Sequence, residues 1–175
     1  MALRILAFWF FIATTFCSFS TIAGPDDYVI GAGDALSITV YNEMDLAVSA
    51  KVPQSGLLRI PLLGDVKVVD KTIAQLSLEL ESAYLDGYLV NPSVSVVVDS
   101  FRPFYIRGAV KKSGVYKFEF DLTVDQAVAI AGGLEDRASK SAWFVIRGAQ
   151  KKRVKVTKES RVYPGDIIEI EESLF

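Results

Sequence analysis

Two helix-start signatures stand in a chain that otherwise consists of short, strand-like apolar segments. Thr72 and Gln75, and later Thr123 and Gln126, each place a hydroxyl three residues before an amide. This is the capping-box pattern, which satisfies the free backbone amides at a helix N-terminus. Between these two sites, short alternating apolar runs are separated by glycine, proline and aspartate turns. The pattern predicts an α+β chain of two small β-rich modules, each with one helix.

The first module is predicted to cover residues 24–99. Leu36, Ile38 and Val40 alternate with smaller or polar residues after a turn at residues 31–34, which is the period of a half-buried strand. Further strands are predicted, in chain order, at residues 50–52, 57–60 and 93–99. The last of these is apolar on both faces, which indicates a buried or interface strand.

Each capping box is followed by apolar residues at helical spacing, so we expect one amphipathic helix in each module. The stripe of the first helix is Ile73, Leu76, Leu80 and Tyr84. The stripe of the second is Val124, Ala127, Val128 and Ala131. The first helix is predicted to end near Gly87 and the second at Gly132 and Gly133, because glycine commonly closes a helix.

The second module is predicted to cover residues 100–175. Strands at residues 104–108 and 115–118, joined by a turn at residues 112–114, form a hairpin before the helix. Strands are predicted to return after the helix, at residues 143–147, 153–156 and 167–170. A hairpin, a helix and returning strands in this order resemble a β-grasp fold.

Residues 1–23 have the features of a secretory leader. A basic residue precedes an apolar core at residues 5–16, and small residues precede Ala23, after which we expect cleavage. The alternative is an uncleaved anchor, because 19 uncharged residues could just cross a hydrocarbon layer of roughly 30 Å. Lipoprotein processing needs small residues before the cysteine, and the bulky Phe16 before Cys17 argues against it.

Composition excludes several classes of function. The chain has no histidine, which rules out Ser-His-Asp and Cys-His catalysis and removes the commonest transition-metal ligand. Its one cysteine, Cys17, lies in the leader, so the cleaved chain would fold without disulfides. The net charge is −2, and nothing in its distribution indicates nucleic-acid binding. We therefore expect no catalytic residue, no cofactor, no metal and no nucleic-acid partner.

A short motif recurs in the two modules. Gly33 and Asp34 precede the strand at Leu36, and Gly165 and Asp166 precede another at Ile168, with the same spacing. A glycine and an aspartate in this order are typical of tight turns before strands. We interpret the recurrence as shared turn chemistry and not as a duplication.

These motifs together resemble the bacterial polysaccharide export proteins of the outer-membrane auxiliary class, over residues 28–170. The export domain of that family is matched at residues 28–36, at residues 56–64, at Thr72 and at residues 91–94. The family's soluble-ligand-binding β-grasp (SLBB) domain is matched in three stretches, at residues 110–116, 126–133 and 164–168.

The residues that carry the family's turn motifs are Gly31, Gly33, Asp34, Pro61, Gly64, Pro92, Gly114, Pro164, Gly165 and Asp166. Two departures fall in one turn, where Ser113 stands in place of the family's usual proline and Lys111 and Lys112 replace acidic or small residues. Both departures affect the rigidity of the turn.

The resemblance implies a role in exporting a capsule or exopolysaccharide. It implies a non-catalytic periplasmic component associated with the outer membrane, which assembles as a homo-oligomeric ring and guides the polysaccharide. Long family members continue into a pore-lining helix. The nine residues after Asp166 would span only about 14 Å as a helix, short of a bilayer core. We therefore expect an outer-membrane pore protein, an inner-membrane polysaccharide copolymerase, or both, as partners.

Six residues of the second module are candidate glycan or subunit contacts: Tyr105, Arg107, Tyr116, Gly132, Gly133 and Trp143. Aromatic rings stack on sugar faces, but such residues also form cores. A glycine pair lets another backbone approach closely, but it also closes helices. The basic run at residues 150–153 could attract an acidic polymer, although a solvated hairpin turn explains it as well.

Two other classes of function remain open at this stage. A stand-alone periplasmic glycan-binding or sensing module would bind one soluble ligand without forming a ring. An enzyme acting on polysaccharide would need paired carboxylates in a cleft, whereas the acidic pairs Asp26–Asp27 and Glu171–Glu172 lie near the chain ends. The sequence pattern places no such cleft, which favours the two binding functions over catalysis.

Overall fold

The computed structural model describes residues 28–148 and 150–173. The predicted leader, residues 1–23, lies outside the described residues. The elements of the first module are β1 (Ala35–Val40), β2 (Glu43–Lys51), β3 (Leu57–Ile60), β4 (Gly64–Lys67), α1 (Ile73–Leu85) and β5 (Val94–Ser100). Those of the second are β6 (Phe104–Gly108), β7 (Gly114–Tyr116), α2 (Val124–Ile130), β8 (Ala138–Arg147), β9 (Lys152–Lys155) and β10 (Ile167–Glu172). The α+β class with β-rich modules is confirmed.

The first module is built on an antiparallel sheet in the order β2-β1-β5. Leu36 of β1 lies opposite Ala50 on one side and Val98 on the other. Strands β3 and β4 form a separate hairpin. These elements and α1 enclose one core: Ile30, Leu36, Ile38, Val40, Leu46, Val52, Leu58, Ile60, Val68, Leu76, Leu80, Tyr84, Val94 and Val96.

Both predicted capping boxes form. In α1, the Gln75 amide donates to the Thr72 hydroxyl (3.2 Å) and the Thr72 amide donates to the Gln75 side chain (2.9 Å). In α2, Gln126 and Thr123 make the same two bonds, at 3.3 and 2.9 Å. Most of each apolar stripe is buried, as its spacing predicted. Local sequence therefore fixes where both helices begin.

The second module has the β-grasp arrangement. Its five strands lie in the order β7-β6-β10-β8-β9, with β6 and β10 parallel at the centre and the other pairs antiparallel. Helix α2 covers one face of this sheet. The core between them comprises Phe104, Ile106, Ala109, Val110, Phe118, Leu122, Val124, Ala127, Val128, Ala131, Trp143, Val145, Val162, Ile168 and Ile170.

Several strands differ from the sequence-based predictions, which include no strand at β4 and place β7 at residues 115–118. Strand β2 begins at Glu43, well before residue 50, and β8 begins at Ala138, before residue 143. The added segment of β2 is largely exposed and that of β8 is exposed or partly buried, so both lack the apolar alternation that marks a strand. The β5 strand, predicted to be buried or at an interface, lies at the edge of its sheet, and Val97 is 51% exposed.

Neither α1 nor α2, the helices of the described residues, is long and apolar enough to cross a membrane.

Candidate functional site

The two Gly-Asp turns have the same geometry. In the first, the Asp34 amide donates to the Gly31 carbonyl (3.2 Å), and Oδ2 of Asp34 accepts from the Gly31 amide (2.7 Å). In the second, the Asp166 amide donates to the Tyr163 carbonyl (3.1 Å), and Oδ2 of Asp166 accepts from the Tyr163 amide (2.8 Å). The shared turn chemistry inferred from the sequence is therefore present in the fold.

Each turn aspartate is buried and paired with an arginine. Asp34 and Asp166 are 0% and 1% exposed, and they are the buried charged residues of the described chain. Arg147 forms a two-pronged contact with Asp166, with Nε to Oδ1 at 2.8 Å and Nη2 to Oδ2 at 2.6 Å. This hydrogen bonding raises the pKa of the Arg147 guanidinium. Buried carboxylates need such partners, because desolvation of an unpaired charge is costly.

Arg102, the partner of Asp34, lies in the short linker between the two modules. Its amide donates to Asp34 Oδ1 (2.8 Å), and its Nη1 donates both to Asp34 Oδ2 (2.9 Å) and to the Tyr28 hydroxyl (2.8 Å). Its Nε donates to the carbonyl of Pro164, which belongs to the second turn (3.1 Å). One side chain therefore joins the Gly-Asp turns of both modules. We call the group Tyr28, Asp34, Arg102 and Pro164 the module junction.

The junction is closely packed on its polar side. A Cβ placed on Gly31 would lie 2.2 Å from Nη1 of Arg102, and one on Gly165 would lie 2.9 Å from Nε. Both distances are shorter than van der Waals contact. The backbone of each turn can therefore approach the guanidinium only because glycine has no side chain. The two motif glycines thus serve the contact between modules.

Aromatic rings form the other side of the junction. Phe101 contacts Tyr28 edge to face, with centroids 4.9 Å apart, and also contacts Phe118 at 5.6 Å and Phe120 at 4.8 Å. Burial, and then the hydrogen bond to Asp34, raise the pKa of the Tyr28 phenol well above 10. Apolar contacts and a buried ion pair therefore hold the linker together.

A second candidate surface is the face of the β-grasp sheet opposite α2. We call it the open face and define it by Tyr105, Arg107, Phe144, Arg153 and Glu169. Successive strand residues point to opposite faces, and the neighbours Ile106, Val145 and Ile168 are buried under α2. Arg107 Nη2 lies 3.1 Å from Glu169 Oε1, and Arg153 Nε lies 2.9 Å from Glu169 Oε2.

Aromatic and charged groups alternate across the open face. The guanidinium carbon of Arg153 lies 3.6 Å from the ring centroid of Phe144, and Arg153 also contacts Glu171. Tyr105 is 42% exposed and lies between Val115 and Ile167 in the strand register. The face therefore offers the Tyr105 ring for stacking and fixed guanidinium groups for hydrogen bonding.

The six predicted contact residues do not form one site. Tyr105 and Arg107 lie together on the open face. Tyr116 stacks on Phe104 (5.8 Å), and its hydroxyl donates to the Lys112 carbonyl (2.6 Å). Trp143 is 2% exposed and its indole donates to the Ser139 carbonyl. Burial under α2 places Trp143 out of reach of a glycan or another subunit, which corrects the expectation for that residue.

The glycine pair ends α2. The Gly132 amide donates to the Ala129 carbonyl (3.0 Å) and the Gly133 amide to the Val128 carbonyl (2.9 Å). The Gly133 carbonyl accepts from the Lys111 amide (3.0 Å). These contacts support the helix-closing interpretation over close approach by a ligand.

The sequence predicted Tyr105 and Arg107 of the open face, but it did not point to Arg102 at the module junction or to Phe144 and Glu169 on the open face. Arg102 is separated from Asp34 by 68 positions, so no local pattern joins them. On the open face, Arg153 lies near Phe144 and Glu169 because β9 pairs with β8 and β8 pairs with β10. A single sequence does not reveal this pairing. In the described part of the chain, no group of three or more acidic, cysteine or histidine side chains is placed to hold a metal ion.

Comparison with known proteins identifies both modules. Residues 23–99 match the family model described as polysaccharide biosynthesis/export protein, and residues 103–160 match the SLBB domain model. The exopolysaccharide production protein ExoF of Rhizobium meliloti is 30% identical over 165 residues, covering 86% of this chain and 39% of the relative.

A more distant relative is the polysialic acid transport protein KpsD of Escherichia coli. It is 22% identical over 148 residues, covering 83% of this chain and 26% of the relative. The chain therefore spans less than half the length of these relatives. The two matched models nevertheless follow each other in the order and at the positions of the two modules. The chain belongs to the polysaccharide biosynthesis/export family, with an export domain followed by an SLBB domain.

Proposed function

We propose that this chain is a non-catalytic component of a capsule or exopolysaccharide export machine, which guides polymer across the cell envelope. Residues 24–99 act as the export domain and residues 100–175 as the SLBB domain, after a cleaved leader at residues 1–23. The family membership supports this assignment, as do the names of the two relatives, one concerned with exopolysaccharide production and one with polysialic acid transport.

The open face is the observation that best supports polymer contact. Tyr105 is 42% exposed and offers a ring that suits the apolar face of a sugar, whereas the Phe144 ring is covered by Arg153. Arg107 and Arg153 are held in place by Glu169, at 3.1 and 2.9 Å, so they can donate hydrogen bonds at little further cost in side-chain entropy. One ring and two guanidinium groups bind each sugar weakly, and weak contacts let a polymer slide past.

The state of the buried carboxylates supports a role without catalysis. Asp34 accepts hydrogen bonds from Gly31, Tyr28 and Arg102. Asp166 likewise accepts hydrogen bonds from the Arg147 side chain and from the Tyr163 amide. A general base needs a free lone pair directed at a substrate, and these two carboxylates direct theirs into the fold.

The family membership also supports a proposal for where the protein acts and with which partners. We place it in the periplasm in association with the outer membrane, assembled as a homo-oligomeric ring. An outer-membrane pore protein, an inner-membrane polysaccharide copolymerase, or both complete the path for the polymer. The hydrogen bonds of the module junction suit such an assembly, because subunits of fixed shape pack in a regular way.

The test compares polysaccharide at the cell surface and in the periplasm of three strains. These are a deletion strain, the deletion complemented with the natural chain, and the deletion complemented with Tyr105→Ala combined with Arg107→Ala. We expect the deletion to lose surface polymer while synthesis continues, and the double variant to restore it only in part. Both side chains are exposed, so their removal leaves the core intact.

Leu78→Ala is the matched control, because Leu78 is 67% exposed on α1 and distant from the open face; it should restore export fully. Unchanged surface polymer in the deletion strain would overturn the proposal and favour a stand-alone glycan-binding or sensing module.

A further inference from the structure

An apolar surface lies at the end of the export domain farthest from the module junction. Met44 is 92% exposed and Val90 98% exposed, while Tyr41, Tyr88 and Leu62 are 76%, 52% and 54% exposed. Single exposed apolar residues are common, but several on neighbouring loops at one end of a domain indicate an interaction site. We call these five residues the distal tip.

Three loops bring the distal tip together. The Tyr41 amide, at the β1–β2 turn, donates to the Ser93 carbonyl just before β5 (2.9 Å). At the end of α1, the Tyr84 carbonyl accepts from the Tyr88 amide (3.2 Å), and the Tyr84 hydroxyl donates to the Pro61 carbonyl (3.1 Å). The loops after β1, β3 and α1 are therefore neighbours in space.

The strand register fixes the position of this end. Val40 pairs with Val94 at one end of the sheet, next to the tip, whereas Ala35 pairs with Ser100 at the other, next to the linker. The length of β1 separates the two ends. The distal tip is thus remote from the contacts that join the modules.

Leu62 is held in an unfavourable backbone conformation. Its φ is +67°, in the left-handed region that leucine rarely adopts. Its neighbour Leu63 packs against the core, while Leu62 itself points outward. Strain of this kind is commonly kept where an exposed side chain has a binding role.

The charges around the tip are mainly acidic, although Arg59 lines one surface depression together with Pro61 and Leu62. Glu43, Asp45 and Asp86 are exposed in the same loops or next to them. The lysines of the export domain lie toward the opposite end: Lys51 pairs with Ala35 at the start of β1, and the Lys71 carbonyl accepts from the Ile30 amide. Two such tips would repel each other, and an anionic membrane surface attracts basic and not acidic segments.

We propose that the distal tip docks onto a second protein that presents an apolar patch ringed by lysine or arginine. Tyrosine and methionine are enriched at the centres of protein interfaces, and the acidic rim would set the register with the partner's basic rim. This contact goes beyond the proposed function, because it does not depend on which polymer is handled or on the open face.

The test introduces a photo-crosslinking amino acid in place of Met44 or Val90 in the full chain, expressed in its own cells. The same residue in place of Leu78 is the control, since Leu78 is also exposed, at 67%, but lies mid-helix. Crosslinked peptides are identified by mass spectrometry. We expect both tip positions to join one identified protein at a peptide that contains lysine or arginine, at least fivefold above the yield at Leu78.

A second variant tests the charge. Glu43→Lys combined with Asp45→Lys should lower the crosslinking yield at Val90 at least fivefold, while thermal unfolding stays unchanged because both side chains are exposed. Crosslinks only to lipid, only to another copy of this chain, or equal to those at Leu78 would overturn the proposal. So would a yield that the charge reversal leaves unchanged. Because polymer export is measured separately, docking and export can fail independently.

Discussion

The guanidinium of Arg102 lies 2.9 Å from the buried carboxylate of Asp34, so the linker is bonded to the turn that begins the first sheet. The same side chain reaches the second turn through the Pro164 carbonyl (3.1 Å). Two small modules with separate cores are thereby joined through the side chain of Arg102, beside the aromatic contacts of Phe101.

Replacing Asp34 with asparagine should strongly destabilise the protein. The change leaves the partly buried Arg102, 27% exposed, without its counter-charge and removes one acceptor. We expect a loss of about 2 to 4 kcal/mol in the free energy of unfolding, measured by urea titration. Asp70→Asn is the control, because its ion pair with Lys67 is exposed and should contribute less than about 1 kcal/mol. Equal losses of stability for the two substitutions would contradict the role of Asp34 as the partner of Arg102 at the module junction.

Replacing Arg102 with alanine should loosen the linker while both modules stay folded. Phe101 is then no longer held between Tyr28 and Phe118, and chymotrypsin should cut after it. We expect cleavage to be at least tenfold faster than in the natural protein, with the circular dichroism spectrum preserved. Arg161→Ala removes an exposed ion pair with Asp121 (3.3 Å) and is the control. If Phe101 stays protected from chymotrypsin in the Arg102 variant, the aromatic contacts alone hold the linker in place, which would contradict this prediction.

What the sequence predicted well is local. The contacts of Thr72 with Gln75 and of Thr123 with Gln126 span three residues, so the pattern contains all that is needed to place each helix start. The Gly-Asp turns are equally local. The partners of Asp34 and Asp166 lie 68 and 19 positions away, and a single sequence holds no signal for such pairs.

The predicted contact residues include a buried side chain because the sequence does not show which aromatic residues the fold buries. Trp143 and Tyr105 both lie in strands of the β-grasp sheet, and composition alone gives no reason to separate them. The strand register and the position of α2 put Trp143 inside and Tyr105 outside. The distal tip was not predicted for a similar reason. Nothing in the sequence distinguishes Met44 and Val90 from buried apolar residues, and only the fold shows that they are exposed.

Gly108 should not tolerate alanine. A Cβ there would lie 2.0 Å from the backbone carbonyl oxygen of Ile170, and φ is +93°. Because β6 and β10 are the central parallel pair, the backbone cannot yield without breaking the sheet. We expect a loss of about 3 kcal/mol or more in the free energy of unfolding. Gly133→Ala is the control, since φ is +89° but nothing lies within 4 Å, and it should cost about 1 kcal/mol.

The junction should weaken in alkali through Tyr28. Burial and the hydrogen bond to Asp34 raise the pKa of its phenol in the folded protein, whereas in the unfolded chain the phenol loses its proton at about pH 10. The folded state therefore binds this proton more tightly. The stability that Tyr28 contributes is complete below about pH 10 and falls as the pH rises further, by about 1.4 kcal/mol per pH unit.

The measurement is the free energy of unfolding of the natural protein and of Tyr28→Phe between pH 8 and pH 11. Phenylalanine keeps the ring contact with Phe101 but removes the hydroxyl, so the variant should be less stable at pH 8 and lose stability less steeply above pH 10. Parallel curves for the two proteins would contradict this account. They would mean that Tyr28 titrates alike in the folded and unfolded chain, which is incompatible with a phenol that donates a 2.6 Å hydrogen bond to a buried carboxylate.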